Sequence, residues 1–159
     1  MGNSGIVVRR KCSPLLFLAL LSGCSFPIKY YQVRDLTRFE RPVVQNDWFV
    51  CPPNLCLSSP NYETPVFPVT KDELIKRTKM VINRQPRTKL IGAATELEQL
   101  IFVQRSKFLG LPDTIWIQFV GLKEGTSLII YSRSNYGYWD FGINGRRIKN
   151  WLEEIKNKG

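Results

Sequence analysis

The chain contains no histidine. That removes the side chain that most often serves as a general base near neutral pH and most often binds transition metals. Acidic residues are scarce as well. Thirteen Asp and Glu face 23 Lys and Arg, for a formal net charge of +10, a balance that invites nucleic acid or an anionic membrane surface as partner. Cysteines number four, and no internal repeat is visible. The apolar run Pro14 to Leu21 is about half of the ~20 residues that a spanning helix needs. Gly137, Gly142 and Gly145 have the spacing of neither a Walker loop nor the dinucleotide fingerprint. No cofactor and no metal is therefore implied. What the chain does have is apolar mass: 43% hydrophobic residues, nine Phe and four Trp among 159 residues, enough for one compact domain with a real core.

The N-terminal segment has to be set apart from the fold. Arg9, Arg10 and Lys11 precede the apolar run, and Leu21-Ser22-Gly23-Cys24 follows it. That order resembles a signal peptide closing on the bacterial lipobox, whose cysteine is lipidated and becomes the new N-terminus. Three other readings compete. One is an ordinary secretory signal with Cys24 incidental, and another is twin-arginine export through Arg9-Arg10. The third is myristoylation of the Met-Gly start, where Ile6 occupies the position that needs Ser or Thr. Under the lipoprotein reading, residues 1–23 are the signal peptide, 24–47 a tether and 48–159 a single globular α+β domain. Cleavage removes Arg9, Arg10 and Lys11 and no acidic residue, so the charge falls from +10 to +7. Two or more acyl chains on Cys24 suffice for stable anchoring, at ~0.8 kcal/mol per buried methylene, and the basic excess then attracts anionic head groups. The expected location is the bacterial cell membrane, lipid-anchored and facing the periplasm. Ser25 after the cysteine points to the outer membrane. Export removes nucleic acid from the expected partners.

Cys12 leaves with the signal and Cys24 carries lipid, so Cys51 and Cys56 remain. An oxidising compartment favours a disulfide between them. A loop this short contributes about 2 kcal/mol through chain entropy. Zinc is the alternative, but two cysteines without histidine do not complete a four-ligand site.

Local patterns suggest the elements. Prolines at 52, 53, 60, 65 and 68 make the stretch from Trp48 to Pro68 extended and turn-rich. Thr70-Lys71-Asp72-Glu73 reads as a capping box, after which Leu74, Thr78, Val81 and Ile82 line one helical face until Gln85-Pro86 stops it. Residues 89–95, 100–105, 114–121 and 127–133 are rich in β-branched and aromatic residues and read as strands. Short connections make them antiparallel neighbours. A last helix from about Asn144 places Ile148, Trp151, Leu152 and Ile155 on one face. The expected fold is α+β: a four-stranded antiparallel meander packed against an N-terminal and a C-terminal helix.

The densest polar stretch is S-R-S-N-Y-G-Y-W-D-F-G-I-N-G-R-R-I, Ser132 to Ile148. Together with R-S-K-F-L-G-L-P-D (Arg105 to Asp113) and C-P-P-N-L-C-L-S-S (from Cys51), it resembles the family of domain of unknown function 1499, from about Cys51 to the C-terminus. The resemblance implies a fold and an envelope location and brings no activity with it.

The residues themselves support two uses of this stretch. In the first the protein is a non-catalytic binding module for an anionic or lipid-like ligand or a protein partner. Arg133 and Arg147 would be anion donors, Tyr136, Tyr138, Trp139 and Phe141 stacking surfaces, and Ser134, Asp140 and Asn144 polar contacts, with Asn144 also capping the last helix. In the second the protein is a hydrolase using Asp113 or Asp140 with Ser134 and Arg133, which requires both carboxylates within reach of one cleft. No nucleophile–base pair is evident, and the binding module is the expectation.

Overall fold

A computed structural model of the chain describes residues 25–157. The expected signal peptide and the lipidation site Cys24 lie outside the described residues. Among the described residues no helix is long and apolar enough to cross a membrane.

The architecture is one six-stranded mixed sheet with two helices, not a four-stranded antiparallel meander. In chain order the strands are β1 (Asp47–Cys51), β2 (Tyr62–Glu63), β3 (Thr88–Ala94), β4 (Gln99–Arg105), β5 (Pro112–Leu122) and β6 (Gly125–Ser134). They lie in the order β2-β1-β6-β5-β4-β3, and the β1–β2 pair is parallel. The expected meander is the β3–β6 part of this larger sheet. The strands missed are the two shortest. β1 is five residues long and runs straight into Pro52-Pro53, and β2 is a two-residue strand. What makes β1 a strand is its partner, because Asp47 to Val50 pair antiparallel with Arg133 to Ile130.

Helix α1 (Lys71–Asn83) starts at Thr70, whose side chain accepts from the Glu73 amide. The reciprocal half of the capping box is missing, because the Glu73 carboxylate accepts from Arg77 Nε at 2.9 Å instead. Helix α2 (Ile143–Lys156) buries Ile148, Trp151, Leu152 and Ile155. Both helices cover one face of the sheet, meeting Val50, Phe102, Ile115, Ile117, Phe119, Leu128 and Ile130 in the main core.

The other face carries a second core of Phe49, Cys51, Ile101, Trp116, Ile129 and Tyr131, which Leu36 covers. Residues 25–46, expected to be a tether, run across this face as an extended strap, and Leu36 is fully buried. Side chains of the sheet hold the strap's backbone. Gln118 Oε1 accepts from the Leu36 amide at 2.8 Å and Gln99 Nε2 donates to the Arg34 carbonyl at 2.7 Å. Thr114 Oγ1 donates to the Tyr30 carbonyl at 2.6 Å, and Trp116 Nε1 to the Gln32 carbonyl at 2.9 Å. These strand residues are buried polar groups, and the strap is the partner their burial requires. Cys51 and Cys56 form a disulfide that closes the turn after β1.

Candidate functional site

The pleat decides which polar residues meet. Along β6, Ser132 and Ser134 face the helices and Arg133 faces the strap. Arg133 stacks over the Tyr30 ring at 4.2 Å, on the same face as Arg34, which lies over Trp116 at 4.6 Å. Arg133 and Arg147 are therefore on opposite sides of the sheet and do not form the anion-binding pair expected of them. Tyr131 belongs to the strap face too. Burial pushes its phenol well above the ordinary value, and the charge of Asp47 adds to this against the opposing Arg133 and Arg34.

On the helix face a connected polar network joins the residues that the sequence singles out. Arg147, buried on α2, donates from Nε to Gln104 Oε1 at 2.5 Å and from Nη1 to Ser132 Oγ at 3.0 Å and Asn144 Oδ1 at 2.7 Å. Its Nη2 donates to Asp113 Oδ2 at 2.6 Å, an ion pair. Ser132 Oγ donates to Asn144 Oδ1 at 2.5 Å. Asn144 Nδ2 faces Asp140 Oδ2 at 2.8 Å, Ser134 Oγ at 3.2 Å and the Asn46 carbonyl at 3.1 Å. Four of the five guanidinium N–H groups are thus occupied by protein acceptors, and one on Nη2 remains.

Asp140 organises the start of α2. Its carboxylate accepts from the Gly142 amide at 2.9 Å and from the Asn144 amide at 2.9 Å. It fills the capping role expected of Asn144, which lies inside the helix with its side chain turned into the network. The cap position itself is Gly142, at φ +72°, and the residue before it, Phe141, is also left-handed at φ +54°. A bulky side chain in that conformation is costly, and Asp140 is what holds the two residues there.

Above the network lies a cleft of about 450 Å³. Its floor is Gln104, Asp113, Ser134, Asp140 and Arg147. One wall is the β4–β5 connection, with Lys107, Phe108 and Leu111, and the other is the β6–α2 connection, with Tyr136, Trp139, Phe141 and Ile143. Arg87 and Arg105 stand at the side. The second wall is pinned from below: Asn46 Nδ2 donates to the Gly137 carbonyl at 2.6 Å, and Tyr136 Oη donates to the Pro27 carbonyl at 2.9 Å. Of the expected site residues, Ser134, Tyr136, Trp139, Asp140 and Arg147 line this cleft together with Asp113. Asn144 supports them from beneath, and Arg133 is not among them. The sequence reading missed Gln104, Arg87, Arg105, Lys107 and Phe108. The signal available for Phe108 was the apolar pair Phe108-Leu109 in a connection between strands, where a turn has no core to enter.

Neither carboxylate of the hydrolase reading is free in this arrangement. Ser134 sits opposite Asp113 in the β5–β6 ladder, but Asp113 is taken by Arg147 and Asp140 by backbone amides. Among the described residues no carboxylate hydrogen-bonds to Ser134 Oγ, and no group of three or more metal-ligating side chains is present. Cations outnumber carboxylates around the cleft: Arg87, Arg105, Lys107 and Arg147 against Asp113 and Asp140. A larger hollow, about 730 Å³, lies on the strap side of the Ser106–Gly110 loop and is lined by Arg87, Lys89, Arg105 and Lys107 with no acidic residue. It lacks the convergent polar floor of the smaller cleft.

Residues 45–155 match the family model described as Protein of unknown function (DUF1499). No curated protein and no solved structure matches the chain.

Proposed function

The chain belongs to the DUF1499 family of unknown function, and from that starting point we propose that it is a membrane-anchored envelope protein, lipidated at Cys24, that binds an anionic amphiphile without transforming it. The observation that carries this reading is the cleft. It has apolar and aromatic walls, a cationic margin, and a buried arginine whose remaining N–H is available to an anionic head group. An amphiphile matches that distribution, with its head toward Arg147 and Arg105 and its chain between Phe108 and Trp139. The committed state of both carboxylates favours binding over hydrolysis.

The direct experiment is native mass spectrometry of the protein purified with its bound molecules, followed by titration with dodecyl phosphate below its micellar concentration. Saturable binding is expected, and Ile143→Asp is expected to weaken it. Ile143 lines the cleft at the first position of α2, where a carboxylate suits the helix dipole, so the variant adds repulsion without loss of fold. No adduct, and no saturable binding, would remove the ligand reading. The anchor is tested separately: labelled palmitate that still incorporates after Cys24→Ser would show that Cys24 is not the acylated residue.

A further inference from the structure

One end of the molecule gathers large apolar side chains that stand out to solvent. The loop between β4 and β5 holds Phe108 and Leu109 out to solvent, 90% and 68% exposed. The loop between β6 and α2 does the same with Trp139 and Phe141, 61% and 79% exposed. Both loops line the same cleft, so their tips flank it and share one end of the sheet. Scattered exposed apolar residues are ordinary, but large ones clustered at loop tips are not. Phe141 is held there in a left-handed conformation that its side chain disfavours, so the fold pays to present it.

The surroundings name the occupant. Arg87, Lys89, Arg105 and Lys107 ring the Phe108 loop on the strap side, and no acidic residue lines that hollow. The described chain also starts here, because Ser25 lines the same hollow and Phe26 packs edge-on to Tyr136 at 5.3 Å. Cys24, the residue lipidated under the reading above, directly precedes Ser25 in the sequence, so a lipid on it would be attached beside these loops. Apolar and aromatic loop tips beside a cluster of cations are complementary to the interface of an anionic bilayer.

We propose that this end is a bilayer-docking surface. Phe108, Leu109, Trp139 and Phe141 enter the interfacial layer, and Lys89, Lys107 and Arg87 meet anionic head groups. The surface acts in addition to any lipid anchor and does not depend on the cleft holding a ligand. It fixes the orientation of the protein, with the cleft mouth turned toward the membrane.

Trp139 makes the proposal measurable, because Trp116 and Trp151 are buried and Trp48 packs against the main core. The full chain is reconstituted with vesicles of phosphatidylglycerol and phosphatidylcholine whose acyl chains are brominated. The expected result is a blue shift and quenching of Trp139 emission, identified by its loss in Trp139→Phe. The pair Phe108→Asp with Leu109→Asp is expected to cut the quenching several-fold even while the lipid on Cys24 keeps the protein on the vesicle. Lys89→Glu with Lys107→Glu is expected to lower it by about fivefold per charge or more. Both pairs sit in exposed positions, and near-ultraviolet circular dichroism confirms that the fold is retained. Vesicle-bound protein with unquenched Trp139 would overturn the docking surface. Equal quenching with purely zwitterionic vesicles would overturn the head-group role. A concentration-dependent blue shift without lipid would reassign the patch to a second copy of the chain, and a shift that needs an added envelope protein would reassign it to that protein.

Discussion

Arg147 reaches from the second turn of α2 to Asp113 on β5, Nη2 to Oδ2 at 2.6 Å, and ties the closing helix to the centre of the sheet. Both side chains are largely withdrawn from solvent, so removing one leaves the other as an uncompensated charge. Asp113→Ala is expected to cost about 3 kcal/mol, read as a lower urea midpoint with an unchanged slope. Arg147→Lys should also destabilise, because an ammonium cannot reproduce the fork that engages Gln104, Ser132, Asn144 and Asp113. A loss near zero for both would mean that the network is solvated and contributes little.

Arg133 has a different task from Arg147. Stacked on Tyr30, it helps to hold the strap, and Arg133→Ala is expected to cost about 1 kcal/mol of stability. Protease cleavage within residues 25–46 should rise at the same time, while dodecyl phosphate binding stays within about twofold of the parent. Lost binding with full stability would put Arg133 back in the ligand site.

Asp35 predicts a pH dependence. Burial alone would raise its carboxyl, but bonds from the Thr37 hydroxyl and amide, from Gln118, and the charge of Arg38 outweigh this and hold it below the ordinary value. A group whose folded value is depressed stabilises the protein above its unfolded value, and the contribution is lost as pH falls through the folded one. Denaturant midpoints should therefore drop between mildly acidic pH and the region below the usual carboxylate range. Asp35→Asn should flatten that part of the profile, and an unchanged profile would assign the acid sensitivity to other carboxylates.

Phe141 sets stability against function. Phe141→Asn replaces a bulky left-handed residue by one that tolerates the conformation, and is expected to raise stability by up to about 1 kcal/mol. The same change takes away an apolar tip, so Trp139 quenching by brominated lipid should fall. A variant both less stable and fully quenched would contradict the account of this loop.

The helices were legible because their signals are local: a Thr70 cap, an apolar stripe, and a proline after the last turn. β3 to β6 were legible for the same reason, as runs of β-branched and aromatic residues. β1 was not, because its strand-favouring run Trp48-Phe49-Val50 is short and ends at two prolines, and pairing with β6 is what makes it a strand. The strap was equally hidden, although buried Gln99, Thr114 and Gln118 inside apolar strands were a trace of it, since such groups need backbone partners. The candidate site was half legible. Crowding in sequence gathered Ser134, Asp140, Asn144 and Arg147, which the fold brings together, and also Arg133, which it places on the other face. The pleat separates Arg133 from Ser134, and extending the last strand by that one residue would have exposed the error.

The first strand lies beside the last, Phe49 opposite Tyr131, and the strap bonds to residues of β4, β5 and the turn after β6. β1 therefore has no neighbour in the sheet beyond the two-residue β2 until β6 has been made. Closing so long a loop is slow, and the sheet cannot be completed as the chain emerges. Completion of the sheet has to wait for the synthesis of β6.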